Sequence, residues 1–398
     1  MNQKFISLLY AICIFFIAFS IIYFPQSVLS ASKRGLEMWA TVVFPSLLPF
    51  FIIAELFIAF GIVHFIGVLF EPIMRPLFNV PGVGGFVWAM GMASGYPAGA
   101  KFTARLRQEN QLTKIEAERL VSFTNASNPL FIIGAVSIGF FYDQQLGILL
   151  AITHYLSNFF VGLCMRFYKK EKKISVNKSK LSFKKAFTLL HEIRIKDNRP
   201  LGKKLGDAIT QSIHTLLLIG GFIVLFSVLT TVLKEIHLTE IVSSLFANTL
   251  PLIHLPQEFA VPLFTGLFEI TIGAQELSTI TSQHVLFYAI ILSFILGFNG
   301  LSVQAQVASI LAETDIQFYP YFIARILHGT IAATLVTILY PILYVSKESH
   351  TTIATQENHI ENTYFQIFVQ YDQLNIMITI ICLLLYVILI LNMKELKL

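Results

Sequence analysis

Gly91-Met92-Ala93-Ser94-Gly95-Tyr96-Pro97-Ala98-Gly99-Ala100 sits inside an otherwise apolar region of the chain. Three glycines and a proline at this density cannot continue one helix, because each glycine costs about 1 kcal/mol and a proline about 3 kcal/mol in a helix interior. A second stretch, Phe264-Thr265-Gly266-Leu267-Phe268-Glu269-Ile270-Thr271-Ile272-Gly273-Ala274-Gln275-Glu276, has the same character. Broken backbone among such apolar neighbours survives only where it is buried in protein or lines a watery cavity. The two stretches, about 82–100 and 257–281, are therefore predicted to be re-entrant helical hairpins.

The rest of the chain supports a membrane setting. Of 398 residues, 55% are hydrophobic and 13% charged, with 37 phenylalanines, and the mean hydropathy is +0.71. A soluble domain carries about 25% charged residues. Apolar runs at about 5–24, 36–60, 120–142, 146–168, 207–233, 284–312, 320–345 and 375–392 predict eight crossings. The fold class expected is all-α integral membrane, with eight transmembrane helices, two re-entrant hairpins and an inverted-topology repeat of transporter type. The first run is long for a signal peptide and reads as a retained helix.

Charge orients the chain. Residues 169–204 hold 13 Lys or Arg against three acids, a net +10. Without aromatic interleaving or a nucleic-acid fold, this reads as a cytoplasmic loop rather than a nucleic-acid site. Residues 346–372 are acidic and belong outside. Both termini are then cytoplasmic. The expected units are an N-terminal helix at 1–33, a first repeat at 34–168, a basic linker at 169–206, a second, inverted repeat at 207–345, and an outer loop with a last helix at 346–398. An offset of 174 residues lays Gly99-Ala100 on Gly273-Ala274, Asn125 on Asn299, and His154 on His328.

Inverted repeats with paired interrupted helices place transporter substrates near the midplane, where half-helix ends offer unpaired N–H and C=O groups. The first break is Thr124-Asn125-Ala126-Ser127-Asn128-Pro129; its partner is Asn299-Gly300-Leu301-Ser302-Val303-Gln304-Ala305-Gln306. The substrate-binding candidates are Gly95, Tyr96, Gly99, Asn125, Ser127, Asn128, Asn299, Ser302 and Gln304. The alternative for these polar residues is interhelical hydrogen bonding. Glu269 is the coupling candidate, since a carboxylate at membrane depth is costly without a function; its alternative is to cap a half-helix. His154 and His328 are further coupling candidates, Arg325 either snorkels or attracts an anion, and Tyr96-Pro97 is a turn device or a stacking surface. Cys13, Cys164 and Cys382 share no spacing, and no metal-ligand cluster, phosphate loop, zinc-protease helix or nucleophile elbow occurs. No enzyme, cofactor or metal is expected.

The Met92-to-Ala100 segment, the Thr124-to-Pro129 break and Gly297-Phe298-Asn299-Gly300 resemble the sporulation integral membrane proteins of endospore-forming Bacilli. That family belongs to the nucleoside-recognition (gate) group, which is similar in architecture to concentrative nucleoside transporters. The resemblance covers about residues 5–345. It implies a role in spore formation, moving dipicolinic acid from the mother cell across the outer forespore membrane. The partners expected are that anionic substrate, the lipid bilayer, a coupling proton or sodium, and a second copy in a homo-oligomer. A nucleoside or other small-metabolite carrier, and a non-transporting spore-assembly scaffold, are the competing readings.

Overall fold

The computed structural model describes residues 3–169, 183–280 and 284–344. The outer loop at 346–372 and the last crossing at 375–392 lie outside these residues. Among the described residues the chain is all helix: α1 (Gln3–Tyr23), α2 (Pro25–Met38), α3 (Phe44–Ala59), α4 (Ile62–Phe78), α5 (Val83–Ser94), α6 (Ala98–Gln108), α7 (Lys114–Thr124) and α8 (Gln144–Met165). After these come α9 (Phe183–Lys196), α10 (Leu201–Glu235), α11 (Leu238–Thr249), α12 (Ala260–Phe268), α13 (Ile270–Ser278), α14 (Val285–Phe298), α15 (Gly300–Leu311) and α16 (Phe318–Leu343). Wide π-type turns, Trp39–Val43 and Leu130–Phe140, join α2 to α3 and follow the first break.

Both hairpins form. In the first, α5 turns into α6 through Gly95-Tyr96-Pro97, with Gly95 at φ +85. In the second, α12 turns into α13 at the single extended residue Glu269. Glycines set the closeness of each. A Cβ on Gly273 would lie 2.2 Å from the Cα of Gly266, so the two arms touch backbone to backbone.

The 174-residue offset holds element by element. Adding it to α7 ends that helix where α14 ends, one residue before each matched asparagine, and α8 starts where α16 starts. Matched long helices pack antiparallel. Tyr344 Oη donates to Asp143 Oδ2 (2.6 Å) at one end of the α8–α16 pair, while His328 meets His154 further along. Likewise Ser27 bonds Glu235 and Trp39 bonds the carbonyl of Leu216, which runs α2 and α3 against α10. An antiparallel pairing of equivalent helices is what an inverted repeat produces about a two-fold axis.

Seven of the eight expected crossings fall within the described residues. Among the described residues four helices are long and apolar enough to span: α8, α10, α14 with α15, and α16; two sharply bent pairs raise this to six. One bend, 102°, separates α1 from α2; the other, 85°, separates α3 from α4. Gly61 at φ +75 makes the second corner. Two charged stretches outside the predicted apolar runs, around Lys33–Arg34 and Glu71–Arg75, are helical. Arg75 pairs with Glu71 (2.9 Å) and Glu116 (2.5 Å), so charge there does not mark a loop. The expected crossing at 120–142 is too deeply broken to be one span.

Candidate functional site

The two breaks differ in build. Pro129 lacks an N–H and disfavours helix at the residue before it, so residues 125–128 leave α7 as extended chain. Asn128 then restarts the next helix, its Oδ1 accepting from Phe131 N (2.7 Å) while its Nδ2 donates to Ser94 O (3.0 Å) beside Gly95. The second break is a tight kink in which Asn299 (φ 75) and Gly300 (φ +59) are both left-handed. Each hairpin packs on the break of its own repeat. A Cβ on Gly91 or Gly99 would sit 2.0 or 2.2 Å from Thr124 O, and one on Gly300 would lie 3.2 Å from Ile270 Cγ1 and touch Gly266 O and Phe268 O at 3.4 Å.

The breaks meet each other through α16. Asn125 Nδ2 donates to Tyr321 Oη (2.8 Å). With the Asn299 amide oriented so that both its atoms are satisfied, Tyr321 Oη donates to Asn299 Oδ1 (3.0 Å) and Asn299 Nδ2 donates to Leu296 O (2.9 Å). Tyr96 Oη reaches the same Leu296 carbonyl (2.8 Å), so the first hairpin's tip touches the second repeat's break. Tyr96 thus serves as a link between the repeats as well as a turn residue.

One turn further along α16 lies Arg325, which is completely buried and does not snorkel. Its Nη1 donates to Asn125 O (3.0 Å) and faces His328 Nδ1 (2.9 Å); its Nη2 contacts Ser122 O. Ser122 and Asn125 offer these carbonyls because α7 stops there and its last C=O groups lack helical partners. The negative end of α7 offsets about half a charge. Among the described residues no carboxylate is ion-paired with Arg325, and its Nε has no hydrogen-bond partner. The site therefore keeps a net positive character.

The histidines are matched and touch, ring centroids 4.6 Å apart. Arg325 can only donate, so His328 Nδ1 accepts and His328 Nε2 donates to His154 O (2.9 Å). His154 Nε2 accepts from Ser127 N (3.1 Å), which leaves the proton on His154 Nδ1, an atom without a partner. Both rings are wired as neutral imidazoles here. Other buried polar atoms around the breaks also lack partners: Asn125 Oδ1, Ser127 Oγ, Ser94 Oγ and Gln304 Oε1. Gln304 Nε2 bonds Phe298 O (2.9 Å), and Ser302 is buried one turn into α15.

The structure thus gathers Tyr96, Asn125, Ser127, His154, Asn299 and His328 around one bonded network, with Gly95, Gly99 and Asn128 supporting it. Glu269 is the N-cap of α13, its Oε2 accepting from Ile272 N (2.8 Å). Of the two readings of Arg325, burial fits anion attraction and not snorkelling; Tyr321 was not among the sequence candidates, though Tyr321, Arg325 and His328 share one helix face at i, i+4 and i+7. Among the described residues no cluster of three His, Cys, Asp or Glu is placed to hold a metal.

The chain is 56% identical over 348 residues to the sporulation integral membrane protein YlbJ of Bacillus subtilis (strain 168), covering 86% of this chain and 85% of that protein. The profile of the Gate family, described as nucleoside recognition, matches residues 40–141 and again 216–315. The chain belongs to the Gate family. No solved structure matches it. The two Gate matches end 174 residues apart, at 141 and 315, and each holds one hairpin and one break. It is an integral membrane protein, like the sporulation relative.

Proposed function

We propose that this protein is a secondary transporter that moves a small anionic metabolite, dipicolinic acid, from the mother cell across the outer forespore membrane. Arg325 carries the reading. A fully buried guanidinium at the junction of two helix breaks, without a carboxylate partner among the described residues, favours an anionic occupant. Asn125, Asn299 and the unpartnered Ser127 hydroxyl would orient the carboxylates, with Ser302, Gln304 and the Gly95–Gly99 turn completing the wall. The name of the sporulation relative supports the cellular setting.

In this reading residues 34–168 and 207–345 rock about their shared axis, with both termini and the 169–206 linker on the cytoplasmic side. Coupling to a proton or sodium would run through Glu269 at the second hairpin tip or through the His154–His328 pair. The Gate description favours one competing substrate class, nucleosides. Flux into vesicles of the purified full chain, with pyridine-2,6-dicarboxylate and a nucleoside side by side, separates them. Saturable dicarboxylate flux is expected. Nucleoside flux alone would replace the substrate, and flux of neither would leave a spore-assembly scaffold.

A further inference from the structure

The linker helix α9 mixes apolar and basic residues and packs along α4. Ala186 is fully buried, Leu189, Leu190 and Ile193 are half-buried, and Ile193 sits against the Gly61 corner, so these four form the packed stripe. At about 100° per residue, Phe183 and Phe187 lie on the flank beside that stripe, with Arg194 between them in projection and Lys184 at the border. All four are exposed, Phe187 at 64%. An exposed aromatic pair flanked by cations needs a neighbour.

The course of α4 shows what borders that flank. At one end the Phe60 ring, just before α4, lies 5.0 Å from Lys204 Nζ in the first turn of α10. At the other, the carbonyl of Asn79 accepts from Arg119 Nη1 (3.0 Å), and the same guanidinium donates through Nε to Tyr168 O (3.1 Å), three residues past α8. The linker joins the end of α8 to the start of α10, both long and apolar enough to span. Bent 85° from α3, α4 therefore runs across the linker-side ends of two spans, and α9 lies level with them. Charge follows the same geometry. The helix α9 holds four basic residues against one acid, a net +3. That acid, Glu192, is turned about 140° from Phe187 and stands at i, i+4 to Lys196, so it offsets Lys196. Glu71 of α4 is held by Arg75 and the N–H of Gly82, and Asp197 by Arg199 and Lys204. Among the described residues neither Lys184 nor Arg194 is ion-paired.

We propose that α9 is an in-plane surface helix that binds anionic phospholipid in the leaflet facing the linker. Phe183 and Phe187 enter the boundary between headgroups and acyl chains, as the apolar face of an interfacial helix does. Arg194 takes a headgroup phosphate through its guanidinium fork, and Lys184 adds a point charge from the border of the same flank. A headgroup of net negative charge is then favoured over a zwitterionic one. The proposal does not depend on what the protein carries.

The test reads lipid contact at α9 directly. The full chain carrying Phe187→Trp is reconstituted in phosphatidylcholine vesicles with a fixed share of phosphatidylglycerol, and bromine is placed on the acyl chains of one lipid or the other. Brominated chains quench an indole on contact, and the chain without the substitution gives the signal of Trp39 and Trp88 to subtract. The added indole is expected to be quenched by both lipids. Phosphatidylglycerol is expected to be enriched about fivefold over its share of the bilayer, the effect of roughly one cation at an anionic surface. High salt is expected to reduce that preference. Lys184→Gln with Arg194→Gln is expected to abolish it, while quenching by brominated phosphatidylcholine persists. The charge-conserving pair Lys184→Arg, Arg194→Lys is expected to keep it, as is Lys196→Gln beside Glu192. Equal enrichment of the two lipids, no quenching by either, a preference that survives loss of both cations, or one that the charge-conserving pair also loses would overturn the proposal. Of these, no quenching by either lipid would leave the face to a soluble partner.

Discussion

Asn125 and Asn299, 174 positions apart, meet on the hydroxyl of Tyr321. Equivalent residues of two repeats can touch only close to the axis that relates them. His154 and His328 satisfy the same condition, so the axis runs past both pairs. The symmetry then fails where chemistry requires a charge. The positions matching Tyr321 and Arg325 are Gly147 and Ala151, so the cation comes from one repeat alone.

Tyr321→Phe removes the bridge and leaves the Asn125 and Asn299 amides without their shared partner. A buried polar group left unsatisfied costs about 1–3 kcal/mol. The variant is expected to reach the membrane, melt at a lower temperature and transport more slowly. Asn125→Ala and Asn299→Ala are expected to lower flux in the same way. Wild-type flux in both alanine variants would make the breaks packing features.

Arg325→Gln removes the positive charge at the junction of the breaks. Hydrogen bonds to charged groups contribute about 1.5–3 kcal/mol, so dicarboxylate affinity is expected to fall by roughly ten- to a hundredfold. Arg325→Lys is not expected to restore it, because an ammonium cannot span Ser122 O and Asn125 O as the guanidinium fork does. Equilibrium binding of radiolabelled dicarboxylate reads both. An unchanged affinity in Arg325→Gln would reduce Arg325 to a cap on α7.

Glycine substitutions separate close approach from mere flexibility. Gly99→Ala drives a Cβ to 2.2 Å from Thr124 O, and that backbone cannot yield without moving the break. Little folded protein is expected. Gly221 lies inside α10, and a methyl group added there would meet nothing within 4 Å, so Gly221→Ala should instead stabilise by about 0.5–1 kcal/mol. Thermal melts in detergent compare the two, and equal effects would contradict the packing described.

The hairpins, the breaks and the offset were legible because glycine, proline and asparagine act through local backbone rules. What was hidden depended on distant partners. The helix α4 carries Arg75, whose partner Glu116 lies 41 residues away, a pairing that no local pattern announces. Arg325 stayed open between snorkelling and attracting an anion because sequence cannot show that α7 ends against it. Glu269 had two readings, and the cap it makes with Ile272 N gives it one definite job in this conformation.

Glu269→Gln keeps an acceptor for Ile272 N but loses the charge at the α13 N-terminus, so a stability loss of roughly 0.3–1 kcal/mol is expected. If Glu269 also couples flux to protons, the variant retains substrate binding and loses the response of flux to an imposed pH gradient. Vesicle flux across such gradients decides this. A preserved pH response would leave Glu269 as a cap and move coupling to His154 and His328.

The pH response must also be separated from the latch between Arg107 and Asp315. The guanidinium grips both oxygens of Asp315, Nε to Oδ1 at 2.8 Å and Nη2 to Oδ2 at 2.9 Å, and ties the end of α6 to the loop before α16. Arg107 holds the Asp315 carboxyl below the usual aspartate value of about 3.9. A depressed folded value means the stabilisation is fully present above the unfolded value and is lost only as pH falls through the lower folded one. Between about pH 5 and 8 the latch therefore stays formed. Asp315 is 48% exposed, so breaking the pair is expected to cost under about 1 kcal/mol. A cysteine in place of the buried Leu112, whose carbonyl accepts from Arg107 Nη1 (2.9 Å), reports opening through its reaction with a membrane-impermeant thiol reagent. Corrected for thiol ionisation, Asp315→Asn is expected to raise that reactivity up to about fivefold by the same amount at about pH 5 and about pH 8. A step confined to the acidic end in the unsubstituted latch would show that it titrates in the working range, and would make Asp315 rather than Glu269 the pH-sensing carboxylate.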